Sequence, residues 1–101
     1  MIKTGGMNVS SLEVEQAILE IPGVLEVAVV GVSDEVWSEA VVAFVVIKSN
    51  DKIDSAKIIS HCKSNLAGYK VPKVVYFKDS LPKDLQGKIL KRILRDELNV
   101  P

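Results

Sequence analysis

The hydrophobic positions change period along the chain, and each change marks an element. In SSLEVEQAILEI, residues 10–21, Val14, Ala17, Ile18 and Ile21 fall at i, i+3, i+4 and i+7, the stripe of an amphipathic helix. Ser10 and Glu13 stand at capping-box spacing at its start, and Pro22 with Gly23 ends it. Glu13, Glu15, Gln16 and Glu20 are then expected to face water. Valine crowds the next two runs, VLEVAVVGV at 24–32 and AVVAFVVIK at 40–48, which predict strands paired antiparallel across SDEVWSE. Both are apolar at nearly every position, so at least one strand must be covered on both faces, which calls for packed helices. SNDKID predicts a turn. SAKIISHCKSNL predicts a second helix, with Ile58, Ile59, Cys62 and Leu66 on its apolar side. Gly68 is placed to stop that helix, and Pro72 biases Val71 toward an extended backbone. KVVYF reads as a third strand, KDSLPKDLQGK as a loop and ILKRILRDEL as a last helix, with Ile89, Leu90, Ile93, Leu94 and Leu98 on one side. Lys88, Lys91, Arg92 and Arg95 share another side. The order helix, strand, strand, helix, strand, helix predicts an α+β fold. It has a small, mostly antiparallel sheet of about three strands packed with three helices, after a short N-terminal hairpin or loop.

Composition narrows the function classes. A chain of 101 residues, 48% hydrophobic, suits one domain over 1–101. Thirteen Lys plus Arg balance thirteen Asp plus Glu, so no global field recruits nucleic acid or an anionic membrane, and any basic site must be local. The single cysteine, Cys62, forms no internal disulfide, which fits a reducing compartment, and the cytoplasm is the expectation. No apolar run approaches the ~18 residues of a membrane helix, and MIKTGGMNVSS lacks a signal-peptide core.

Few residues offer chemistry. Gly87 and Lys88 stand where the last helix is expected to begin, and a cation there opposes the helix macrodipole. An anion held between the ammonium and the free helix N–H groups would compensate; an ordinary solvated lysine on a basic face is the plainer alternative. It is no Walker loop, because Pro82 and Ile89 stand where glycine and a hydroxyl are required. His61 and Cys62 are adjacent in a helix and point ~100° apart, so they form no dyad. Cys62 is expected in the core, and one histidine without partners makes no metal site. Gly5 and Gly6 permit positive φ and close approach by another molecule, and serve equally as a tight turn. Trp37 is either a ligand platform or a cap on the core edge, and Asp34, Glu35 and Glu39 beside it are expected to be solvated.

Taken together, several segments carry a resemblance. IKTGG leads into a V-E helix; GV-x-D-x-x-W-x-E, YKVPK and LP-x(4)-GKI-x(2)-R follow in order, across essentially the whole chain. The chain thereby resembles the C-terminal domain of acyl-CoA synthetases in the adenylate-forming superfamily, with luciferases and peptide-synthetase adenylation domains. The resemblance implies a mobile lid excised from a larger enzyme, inactive alone, whose partner is a large N-terminal domain of the same chain that binds ATP with Mg2+ and the carboxylic acid. Lys88 matches the lysine that contacts carboxylate and α-phosphate during acyl-adenylate formation, with Gly87 supporting its loop. Gly5 and Gly6 match the loop that enters the pantetheine channel when CoA forms the thioester. Lys3, Lys70 and Lys73 are available for the CoA phosphates, and no residue is assigned to a metal. YKVPK favours a CoA ligase over a peptide-synthetase domain. Three positions depart from the pattern: Asp84 for a common Thr or Ser, Ser11 for proline, and Ser38 for the glycine after tryptophan. The hinge residue of the family is expected just upstream of Ile2 and Lys3. The rival reading is a freestanding interaction module that docks an acidic partner on Lys91, Arg92 and Arg95.

Overall fold

The computed structural model describes residues 1–36, 38–48 and 52–98. Trp37 and the first half of the turn expected at 49–54 lie outside the described residues. Strands β1 (Ile2–Thr4) and β2 (Met7–Val9) form an N-terminal hairpin, followed by helix α1 (Ser11–Leu19). Then come β3 (Val24–Asp34), β4 (Ser38–Ile47), helix α2 (Ser55–Asn65), a 3-10 turn at Gly68–Lys70, β5 (Val74–Phe77) and helix α3 (Lys91–Leu98). The sheet has five strands rather than about three, because the short hairpin joins it: the order is β2-β1-β4-β3, with β5 also on β4. All pairings are antiparallel except β4 with β5, which α2 connects as a crossover.

The two valine runs alternate between two cores. Val27 and Val29 of β3 and Val41, Ala43 and Val45 of β4 pack with Val14 and Ile18 of α1 and with Ile58 and Cys62 of α2. Ala28, Val30, Val42, Phe44 and Val46 point the other way and pack with Leu81 and Leu94, with Ile89 and Leu98 beside them. Strand β4 is therefore buried over 40–46 without interruption, as the unbroken apolar run requires. Helix α1 starts where the capping residues place it, with the Ser10 hydroxyl accepting the Glu13 N–H at 3.4 Å. Helix α2 is capped by Asp54, whose carboxylate accepts the Lys57 N–H at 2.8 Å.

Four expectations change. Glu15 does not face water: its carboxylate accepts the Val29 N–H at 2.8 Å and meets the Lys91 ammonium at 2.9 Å. β3 is the outer strand of the sheet, and Glu15 satisfies a backbone donor that has no neighbouring strand. Gly68 is not a left-handed stop; α2 ends in an extended Leu66, and Gly68 opens the 3-10 turn. Glu39 is not a free loop charge, because it accepts the Lys3 N–H at 2.9 Å and ties β1 to the sheet. Finally, α3 begins at Lys91 rather than at Lys88 or Ile89, and Ile93 stays exposed. Residues 83 and 89 pair instead as a small antiparallel bridge, so Lys88 belongs to a hairpin.

Candidate functional site

That hairpin gives Lys88 its setting. Asp84, Leu85, Gln86 and Gly87 make a tight turn, with the Gly87 N–H donating to the Asp84 carbonyl at 3.1 Å. Asp at the first position and Gly at the fourth are the preferred residues of a type I turn. Gly87 then takes φ +86°, the left-handed step that returns the chain to the partner strand and that an L side chain resists. The hairpin closes through the Asp84 N–H to the Lys88 carbonyl at 3.0 Å and the Leu90 N–H to the Pro82 carbonyl at 2.8 Å. Its base is anchored: Leu81 is buried, Ile89 packs on the Phe44 and Leu94 core, and Lys83 pairs with Glu26 of β3. The Lys88 side chain stands exposed on this fixed frame, with no hydrogen bond or ion pair among the described residues.

The cation at the first position of α3 is Lys91, and its compensating anion comes from the same chain: the ammonium lies 2.9 Å from Glu15 and donates to the Ser11 hydroxyl at 3.2 Å. Sequence reasoning missed Glu15, although Ser11 and Glu15 stand at i and i+4 and so share a face of α1. Ser11, noted only as a departure from proline, is one of the groups that hold α3.

The second expected loop is a two-residue hairpin turn. Gly5 and Gly6 have φ +56° and +82°, the pair of positive values that a β1–β2 connection of this length demands. A Cβ on Gly6 would meet nothing within 4 Å, so the conformation selects the glycine and the space around it is open to another molecule. The two loops are rooted on opposite sides of the sheet. Ile2 and Val9 of the Gly-Gly hairpin belong to the core under α1 and α2, whereas Leu81 and Ile89 of the Lys88 hairpin belong to the core under α3.

The three lysines considered for CoA phosphates are in different states. Lys3 has an exposed side chain, and its backbone is held by Glu39. Lys70 is engaged with Glu13 at 2.9 Å, and the hydrogen bond its ammonium donates to that carboxylate holds it above the ordinary lysine range. Lys73 is exposed, and its N–H donates to the Val41 carbonyl at 2.8 Å. The 3-10 turn that carries Lys70 packs against β2, which brings that residue toward the Gly-Gly hairpin. Cys62 is fully buried, and burial pushes its thiol up, as a core role requires. His61 is not without a partner, since its Nε2 lies 3.1 Å from Glu20 Oε1 and joins α2 to α1. Among the described residues no three His, Cys, Asp or Glu side chains are grouped as metal ligands, and no helix is long and apolar enough to cross a membrane.

Two open grooves, of about 240 and 440 Å³, lie elsewhere. The first runs between the N-terminal hairpin and α3, beside Ser11, Glu39 and Arg95; the second lies at the ends of β4 and β5. Neither is lined by Lys88, Gly5 or Gly6, so the candidate chemistry sits on two projecting turns.

Known proteins share both the sequence and the fold of this chain. Residues 13–88 match the AMP-binding enzyme C-terminal domain. The chain is 44% identical to the long-chain-fatty-acid–CoA ligase FadD13 of Mycobacterium tuberculosis, over 96% of its own length and 19% of that protein. It is 48% identical to the peroxisomal trans-cinnamate:CoA ligase of Petunia hybrida, over 95% and 17%. The crystal structure of ATP-bound MatB from Rhodopseudomonas palustris superimposes with a TM-score of 0.91 at 40% identity, covering 93% of this chain and 19% of that one. The chain thus spans less than one fifth of the length of each of these proteins.

Proposed function

The chain belongs to the AMP-binding enzyme C-terminal domain family, and from that premise we propose that it is the lid of an ATP-dependent carboxylic acid–CoA ligase. Fatty acids are the favoured substrate class, since a long-chain-fatty-acid–CoA ligase is among its relatives. The lid acts with a large N-terminal domain that holds ATP with Mg2+ and the acid, and it is inactive alone; the cytoplasm is the expected compartment. In the first half-reaction the acid's carboxylate oxygen attacks the α-phosphorus of ATP, an acyl–phosphate bond forms and pyrophosphate leaves. The Lys88 ammonium contacts the carboxylate and the α-phosphate, offsetting negative charge that grows on the phosphoryl oxygens in the transition state. In the second, the CoA sulfur attacks the acyl carbonyl carbon and AMP leaves. The lid has turned by then, Lys88 is withdrawn, and Gly5 and Gly6 border the pantetheine arm, where a side chain would narrow the channel.

One observation carries this reading: an exposed ammonium without a partner among the described residues, on a hairpin fixed by its own hydrogen bonds and a buried base. Such a group is preorganised for an anion from outside the domain. The opposite rooting of the Gly-Gly turn supports two separate presentations of the lid. The interaction-module reading is weakened, because Lys91 is already committed to Glu15 and Ser11. To test the proposal, Lys88→Ala is made in the complete ligase and the half-reactions are measured apart. Adenylate formation should fall by about 100-fold or more, while thioester formation from supplied acyl-adenylate is retained. Equal loss in both steps would sink the assignment.

A further inference from the structure

We propose that Asp84 is the positioning residue for Lys88, acting through its side-chain oxygen on the backbone of the turn. This rests on the assignment of Lys88 to adenylate formation. Asp84 Oδ1 accepts two backbone N–H groups, from Gln86 at 2.9 Å and from Lys88 itself at 2.9 Å. Its own N–H and carbonyl are used as well, toward the Lys88 carbonyl and the Gly87 N–H. Four hydrogen bonds therefore converge on one residue, and two of them end on the peptide groups of Lys88. The residue is exposed, so these bonds serve no buried core. They fix the direction in which the backbone presents the Lys88 side chain.

The chemistry explains why an acid suits this position. An ionised carboxylate only accepts, so it competes for no carbonyl in the turn, and its hydrogen bonds to N–H groups are charge-assisted and short. Asp also favours the first position of the turn, where its side chain reaches the N–H two residues on. Without that oxygen, the Gln86 and Lys88 N–H groups turn to water, and the left-handed Gly87 becomes a pivot rather than a fixed corner. A lysine that stabilises a transition state at one distance tolerates little misplacement.

Three variants in the complete ligase test this, Asp84→Ala, Asp84→Asn and Lys88→Ala, with amide hydrogen exchange over 84–89 and the kinetics of both half-reactions. Asp84→Ala should speed exchange at Gln86 and Lys88 and lower kcat for adenylation about 10- to 100-fold, with KM for ATP and thioester formation from supplied acyl-adenylate little changed. Asp84→Asn keeps a side-chain carbonyl acceptor and should restore both protection and kcat to within about threefold of the wild type. A general loss of fold would depress both half-reactions, which separates positioning from stability. The proposal is overturned if Asp84→Ala leaves the two amides protected, or if it frees them and adenylation stays at the wild-type rate. It is also overturned if Asp84→Asn is as impaired as Asp84→Ala. Should Lys88→Ala itself retain adenylation, the role of Lys88 fails instead, and the exchange data still decide whether Asp84 holds the turn.

Discussion

Ser38 carries a backbone φ of +69°, the one non-glycine value of that sign among the described residues, at the start of β4 where it pairs with Asp34 of β3 on one side and Thr4 of β1 on the other. An L side chain there costs about 1–2 kcal/mol. Ser38→Gly should stabilise the chain by roughly 0.5–1 kcal/mol, the relief being offset in part by the entropy of a more flexible unfolded chain. Urea denaturation checks this, and a lower midpoint for the variant would refute it. Two further residues give a pH dependence. The Cys62 thiol is held above its ordinary 9.0 by burial, and the Lys70 ammonium above its ordinary 10.5, chiefly by the Glu13 hydrogen bond. Each folded form binds its proton more tightly than the unfolded chain, so this stability is complete below the ordinary values and is lost as pH rises through the folded ones. Thermal stability should therefore fall above pH 9, less steeply in Cys62→Ala; an unchanged slope in that variant would contradict the burial argument. The core cysteine and the glycine that Ser38 replaces are both visible in the sequence, one from helical spacing and the other from the motif. Glu13 and Lys70 lie 57 positions apart, and no local pattern pairs them.

Between elements, the clearest strap runs from α1 over the sheet edge to α3. Glu15 accepts the N–H of Val29, which is 1% exposed, and meets Lys91, which also holds Ser11. Removing the carboxylate leaves a buried donor unpaired, which costs about 1–3 kcal/mol. Glu15→Ala should therefore lower stability by that amount, and Glu15→Gln, which retains an acceptor, by less. Equal stability of wild type and Glu15→Ala in denaturant titration would show that the edge donor finds another partner. Elements whose signals are local were legible: the capped α1, the two valine strands and the Gly-Gly hairpin. The start of α3 was not, because helical periodicity continues back through Ile89 and Leu90 while Asp84 and Gly87 draw those residues into a hairpin. Turn chemistry overrode the period. The Asp-x-x-Gly turn signal stands in the sequence at 84–87, and it outweighs the apolar spacing of Ile89 and Leu90.

Across the whole molecule, one sheet separates two cores, and each core anchors one glycine-bearing turn. This is the arrangement a lid needs if it is to show different faces to one active site, and it is what ties the fold to the proposed chemistry. The sequence made both turns visible as motifs. It left their placement open, since that depends on which side of the sheet each flanking apolar residue enters. The most direct test compares Lys88→Ala with Gly6→Asn in the complete ligase, asparagine being chosen because it adds bulk yet tolerates positive φ. Adenylate formation and thioester formation from supplied acyl-adenylate are measured for each. The predicted result is a crossed pattern: Lys88→Ala loses about 100-fold or more in the first step alone, and Gly6→Asn is impaired in the second alone. Loss of both steps by either variant, or full adenylation by Lys88→Ala, would contradict the assignment of one turn to each half-reaction.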